Sequence, residues 1–146
     1  MASADTLLTL EADEEAVVLL LEEHDGQLRH EDETPEVYWL TMHPADQPEE
    51  SFYVRVAWTA YPDQPPSVRF AECIGGHIHV NRAWPNIPGY RLGSFDICKP
   101  FTAEGYAAHP EWVNGPERWT SSGNPFLFVV ETLQNDLDFA FQGRQS

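Results

Sequence analysis

Two stretches of the chain alternate polar and apolar residues with the period of an extended strand. Ser51 to Trp58, "SFYVRVAW", sends Phe52, Val54, Val56 and Trp58 to one face and Tyr53, Arg55 and Ala57 to the other. Glu36 to Met42, "EVYWLTM", is β-rich and alternates in the same way. Between them "HPADQPEE" reads as a turn, because Pro44 and Pro48 break regular structure. The two strands are therefore expected as neighbours in an antiparallel meander. "YPDQPP", Tyr61 to Pro66, interrupts the pattern with three prolines, and Ser67 to Phe70 resumes it as a short strand.

A helical period governs both ends. Residues 124–138 carry a stripe of Phe126, Val129, Val130, Leu133 and Leu137. Asn124 suits the cap position and Pro125 the first helical position. Residues 4–24 are expected to hold a second helix. Asp13 is a candidate cap, Glu14 and Glu15 favour its positive end, and Val17, Val18, Leu20 and Leu21 lie on one side. The run "AVVLLL" leaves a strand open as the alternative. "HDGQL" signals a turn.

From Gly75 to Gly123 the pattern fails. The segment is rich in Gly, Pro, Asn and Trp, and its aromatics favour a packed loop over a disordered one. The order helix, antiparallel strands, long ordered loop, helix predicts an α+β fold. A chain of 146 residues fits one domain, 1–146, with residues 1–12 open to flexibility and 75–123 an ordered loop region.

Charge narrows the range of partners. The net charge is −16, and 15 of the 24 acidic residues fall in the first 50 positions beside a single Arg29. Such a balance repels phosphates, so no nucleic acid and no membrane are expected as partners. The acidic third reads either as a solubilising feature or as an arm for a basic partner. No apolar run reaches the ~18–20 residues that span a bilayer, and the segment before Ala16–Leu21 is acidic, so a cytoplasmic location is expected. Cys73 and Cys98 are too few for a disulfide framework and read as reduced thiols. Lys99 is the only lysine. Cys73, at the end of a short apolar strand, is expected in the core.

Strand, proline-bearing turn, strand, Tyr61-Pro62-Asp63-Gln64-Pro65-Pro66, short strand, Pro85-Asn86 and then a loop cysteine follow one another in an order that resembles the ubiquitin-conjugating enzyme family. The resemblance runs from about Val37 to about Leu137. Trp84-Pro85-Asn86 resembles the family's His-Pro-Asn motif, and Gly93-Ser94-Phe95-Asp96-Ile97-Cys98 its approach to the active cysteine. Trp119 resembles the tryptophan before the crossover helix, and residues 124–138 that helix. The resemblance implies an N-terminal helix, a four-stranded antiparallel meander, a long active-site loop and a crossover helix, with the family's last two helices absent. Trp84 in place of His, Lys99-Pro100 after the cysteine, an acidic first helix and a longer Asn86-to-Cys98 gap imply a divergent, bacterial member.

The resemblance implies an enzyme in which Cys98 carries a ubiquitin-like modifier as a thioester and passes it to an amine. Its partners would be an activating enzyme, the modifier and a protein substrate. No metal or small cofactor is implied, since ATP is used by the activating enzyme. Cysteine suits the task because its thiolate is both nucleophile and leaving group. Asn86 is the candidate oxyanion donor. His109, Asp96 and Glu104 are candidates for orienting or deprotonating the amine, with His109 named as the catalytic base. Lys99 beside Cys98 is a candidate for favouring the thiolate. The alternative is a catalytically inactive protein-binding module on the same fold, of the RWD-like kind. A thiol redox site, or a metal held by His77 and His79 with His109 or Cys73, is a third reading.

Overall fold

A computed structural model describes residues 3–146. The first helix, α1 (Ala4–Glu23), begins earlier than its charge pattern suggests. Its cap is Ser3, whose hydroxyl accepts a hydrogen bond from the Thr6 backbone N–H at 3.1 Å. Asp13 therefore does not cap the helix. It sits mid-helix, where its carboxylate accepts the Tyr61 hydroxyl and its carbonyl accepts the Asn124 carboxamide at 2.9 Å. "AVVLLL" is helical and not a strand, because Val17 and Leu21 share the buried side while Leu19 stays exposed. Of the residues open to flexibility, 4–12 form the first turns of α1, with Leu10 buried; positions 1 and 2 lie outside the described residues.

Four antiparallel strands follow in sequence order: β1 (Gln27–His30), β2 (Val37–Met42), β3 (Phe52–Ala57) and β4 (Ser67–Ala71). The expected turn at "HDGQL" holds only through Gly26, and Gln27 already belongs to β1. One sheet face carries Tyr38, Leu40 and Met42, then Phe52, Val54 and Val56, then Val68 and Phe70. Onto this face pack Leu10, Val17 and Leu21 of α1 and the predicted stripe of α3, which follows later in the chain. Cys73 is exposed, not core. β4 ends at Ala71, and the chain then turns away, with the Gly76 N–H bonded to the Cys73 carbonyl at 2.9 Å.

The proline connector works as scaffold. Tyr61 is buried against Trp58, with ring centroids 4.6 Å apart, and the Tyr61–Pro62 bond is cis. The Pro62 carbonyl accepts the Trp119 indole N–H at 2.9 Å. The region expected as loop contains a two-residue hairpin, β5 (Tyr90–Arg91) and β6 (Asp96–Ile97), and a short helix, α2 (Ala103–Ala108). Single 3-10 turns lie at Asn81–Ala83 and Pro110–Asn114. The last helix, α3 (Pro125–Phe139), starts where predicted, with the Asn124 side chain accepting the Leu127 N–H at 2.9 Å. After it the chain runs back along Trp84–Asn86. Gln145 donates to Trp84, Gly143 accepts from Asn86 and Gln142 donates to Asn86, at 2.7 to 3.0 Å. No helix among the described residues is long and apolar enough to cross a membrane.

Candidate active site

Cys98 directly follows β6, half-buried and unpaired. Its N–H donates to the Gly89 carbonyl at 2.8 Å, which extends the hairpin by one step. Gly89 itself sits at φ 90°, a left-handed conformation that glycine adopts without strain. The hairpin register sets Arg91 opposite Asp96, and alternation puts Asp96 and Cys98 on the same side. Arg91 and Asp96 meet through two hydrogen bonds, at 2.8 and 2.9 Å, and the Ser94 hydroxyl adds a third to the carboxylate. The turn between the strands passes through Phe95 at φ 52°, unusual for a residue with a side chain. Arg69 holds that turn by donating to the Phe95 carbonyl at 2.7 Å.

The Arg91–Asp96 pair of this hairpin is mutually stabilising. Hydrogen bonding to Asp96 raises the Arg91 guanidinium above its already high range, and the nearby Cys98 sulfur adds to the effect. Burial alone would raise the Asp96 carboxyl, but the bonds from Arg91 and Ser94 outweigh it and hold the group below its ordinary range. The linkage then has a definite sign. The Asp96 contribution is fully present above the unfolded carboxyl range, about pH 4, and is lost as pH falls through the lower folded value. Asp96→Asn is accordingly expected to flatten the acid limb of the stability profile, which urea titrations at a series of acidic pH values would check.

The loop after Cys98 is fastened at every residue. Lys99 is engaged by α3. Its ammonium bonds Asp136 of α3 at 3.0 Å and lies 5.6 Å from the centre of the Tyr90 ring. The Tyr90 hydroxyl donates to the same carboxylate at 2.7 Å. Burial, then the Asp136 charge, push the Tyr90 hydroxyl well above its ordinary range. Thr102, fully buried, donates to the Ile97 carbonyl at 2.6 Å and caps α2 through the Gly105 N–H at 2.9 Å. The Ala103 N–H reaches the Pro66 carbonyl at 2.8 Å, so the proline connector and the cysteine loop are joined through α2.

The other expected participants stand apart. Asn86 is exposed; its backbone is paired with the tail, and its carboxamide makes no hydrogen bond among the described residues. His109 closes α2, stacks on Trp112 with centroids 4.2 Å apart, and bonds Glu111 through Nδ1 at 3.0 Å. No hydrogen bond or ion pair joins either residue to Cys98 among the described residues. Asp96 is committed to Arg91. Glu104 is committed to β4, accepting the Ser67 hydroxyl at 2.5 Å and the Val68 N–H at 3.2 Å. Arg91 was missed by sequence reasoning; the signal for it was the Gly93-Ser94 turn, which sets Arg91 across from Asp96. Among the described residues no three His, Cys, Asp or Glu side chains are grouped to hold a metal, so His77 and His79 do not combine with His109 or Cys73.

No known family model matches the chain. No curated protein matches it either.

Proposed function

We propose that the chain is a ubiquitin-conjugating-like enzyme. The observation that carries this reading is the loop thiol itself: half-buried, unpaired, beside Arg91, and fastened between a four-stranded meander and the helix that follows it. In the proposed reaction the Cys98 thiolate attacks the carbonyl of a modifier held as a thioester on an activating enzyme. A new C–S bond forms and the donor thiolate leaves. A target amine then attacks the Cys98 thioester, an amide forms, the Cys98 thiolate is released and the amine proton passes to a base. Asn86 would donate to the oxyanion and His109, oriented by Glu111, would take the proton. Both roles rest on the family resemblance. No metal or small cofactor of its own is called for, and the whole chain acts as one conjugating domain in the cytoplasm.

The test is a charging reaction with the cognate activating enzyme, modifier and ATP. An adduct of the modifier's mass, removed by a thiol reductant, is expected for the native chain and for Cys73→Ala, and none for Cys98→Ala. An adduct that survives in Cys98→Ala, or none with the native chain, defeats the reading. One observation favours a second reading, a catalytically inactive protein-binding module of the same fold: neither Asn86 nor His109 bonds to the cysteine. On that reading Cys98 reacts with small alkylating agents while no modifier adduct forms.

A further inference from the structure

The sheet has a second face, turned away from α1 and α3, and its chemistry is unlike the rest of the chain. Strand register lines up Arg29, Trp39, Arg55 and Arg69 as one row across β1 to β4. Three of only eight lysines and arginines thus stand side by side in a chain of net charge −16. Of the three, Arg69 is already paired, with the Glu104 carboxylate of α2 at 3.6 Å. The Arg55 side chain, half-buried on a central strand, has no hydrogen bond, ion pair or ring partner among the described residues, and neither has that of Arg29. Burying part of a guanidinium without an acceptor costs free energy, so an unfilled acceptor position beside it is informative.

A cavity of about 380 Å³ opens at this row. Its floor is Trp39, Arg55 and Arg69, and its wall is the 75–79 segment with His77 and His79. Trp39 is buried here, outside the main core, with its indole N–H on Glu31 at 3.3 Å. The backbone N–H groups of His77, Ile78 and His79 donate no hydrogen bond among the described residues. The cavity is thus bounded by a forked cation on one side and spare backbone donors on another. A planar carboxylate is satisfied by one guanidinium fork, whereas a tetrahedral oxyanion has acceptors for donors from several directions. The volume falls in the small-molecule range and exceeds the needs of a bare anion.

We propose that this cavity binds the phosphate group of a small organic phosphomonoester, held between the Arg55 guanidinium and the His77–His79 backbone. Glu31 at the rim works against the ligand, and Glu104 already neutralises Arg69 of the floor, which leaves Arg55 as the cation for the phosphate. The site lies on the sheet face opposite α1 and α3 and does not depend on the activity of Cys98.

The experiment is an NMR titration of the full chain at low salt, with glycerol phosphate, inorganic phosphate and acetate as separate probes. Glycerol phosphate is expected to shift the amide signals of residues 77–79 saturably and to bind more tightly than acetate. Arg55→Gln should weaken binding about tenfold or more, the loss of a charged hydrogen-bond partner. Arg55→Lys, which keeps the charge and loses the fork, should fall between. Glu31→Gln should tighten binding, and Arg118→Gln should leave it unchanged. Tighter binding of glycerol phosphate than of inorganic phosphate assigns the organic ester as ligand, and equal binding assigns the bare phosphate group. Shifts that do not saturate, that survive in a folded Arg55→Gln protein, or that acetate reproduces at equal concentration overturn the proposal.

Discussion

Trp84→Ala is expected to cost about 3–5 kcal/mol of stability, the range for deleting a large aromatic from a packed core. Trp84 is fully buried, lies 5.3 Å from Phe70 between ring centroids, and donates its indole N–H to the Ile78 carbonyl at 2.8 Å. The alanine would leave a cavity and strand that carbonyl. A domain of this size has on the order of 5–15 kcal/mol in total, so the variant would approach the limit of folding. Trp84→His should fare little better, because the smaller ring leaves much of the volume empty. Urea midpoints of the two variants would check this. A loss below about 1 kcal/mol for alanine would mean the core closes over the gap.

Gly105→Ala should destabilise by about 3 kcal/mol, although helix propensity alone predicts a gain of about 1 kcal/mol for that change. The sign is decided by space. A β-carbon at this position would stand 2.1 Å from the Lys99 carbonyl oxygen and 2.8 Å from the Lys99 nitrogen. Backbone, not a flexible side chain, is in the way, so α2 or the cysteine loop must move. The same displacement should change the reactivity of Cys98. Faster alkylation of Cys98 in Gly105→Ala, with Cys73 unchanged, is the expected outcome alongside the lower urea midpoint. A stable variant with native alkylation rates would show that α2 does not fix the loop.

Legibility followed element length and periodicity. β2, β3 and α3 were readable because each buries one face along enough residues for the period to show. β1 was not, since Gln27–His30 is short, polar and at the sheet edge. β5, β6 and α2 are too short to carry a period. Cys98 was singled out through the order of motifs and not through any local pattern. Its setting was hidden, because Arg91, Gly89 and Asp136 reach it or its loop through hairpin and tertiary pairing. The turn away at Glu72 was likewise silent in the sequence, and with it the exposure of Cys73. The cap at Asp13 failed for a simpler reason: a mid-helix acid next to other acids looks like a start, and only the folded chain shows Tyr61 and Asn124 using it.

The pairing of Lys99 with Asp136 has a practical corollary for anyone mapping this protein's contacts. Lys99 is the sole lysine, and its ammonium is half-buried in an ion pair. Amine-directed crosslinkers therefore meet a single lysine side chain, already held by a carboxylate. Side-chain proximity chemistry on this chain is better run through its many exposed carboxylates, or through Cys73, whose thiol is exposed.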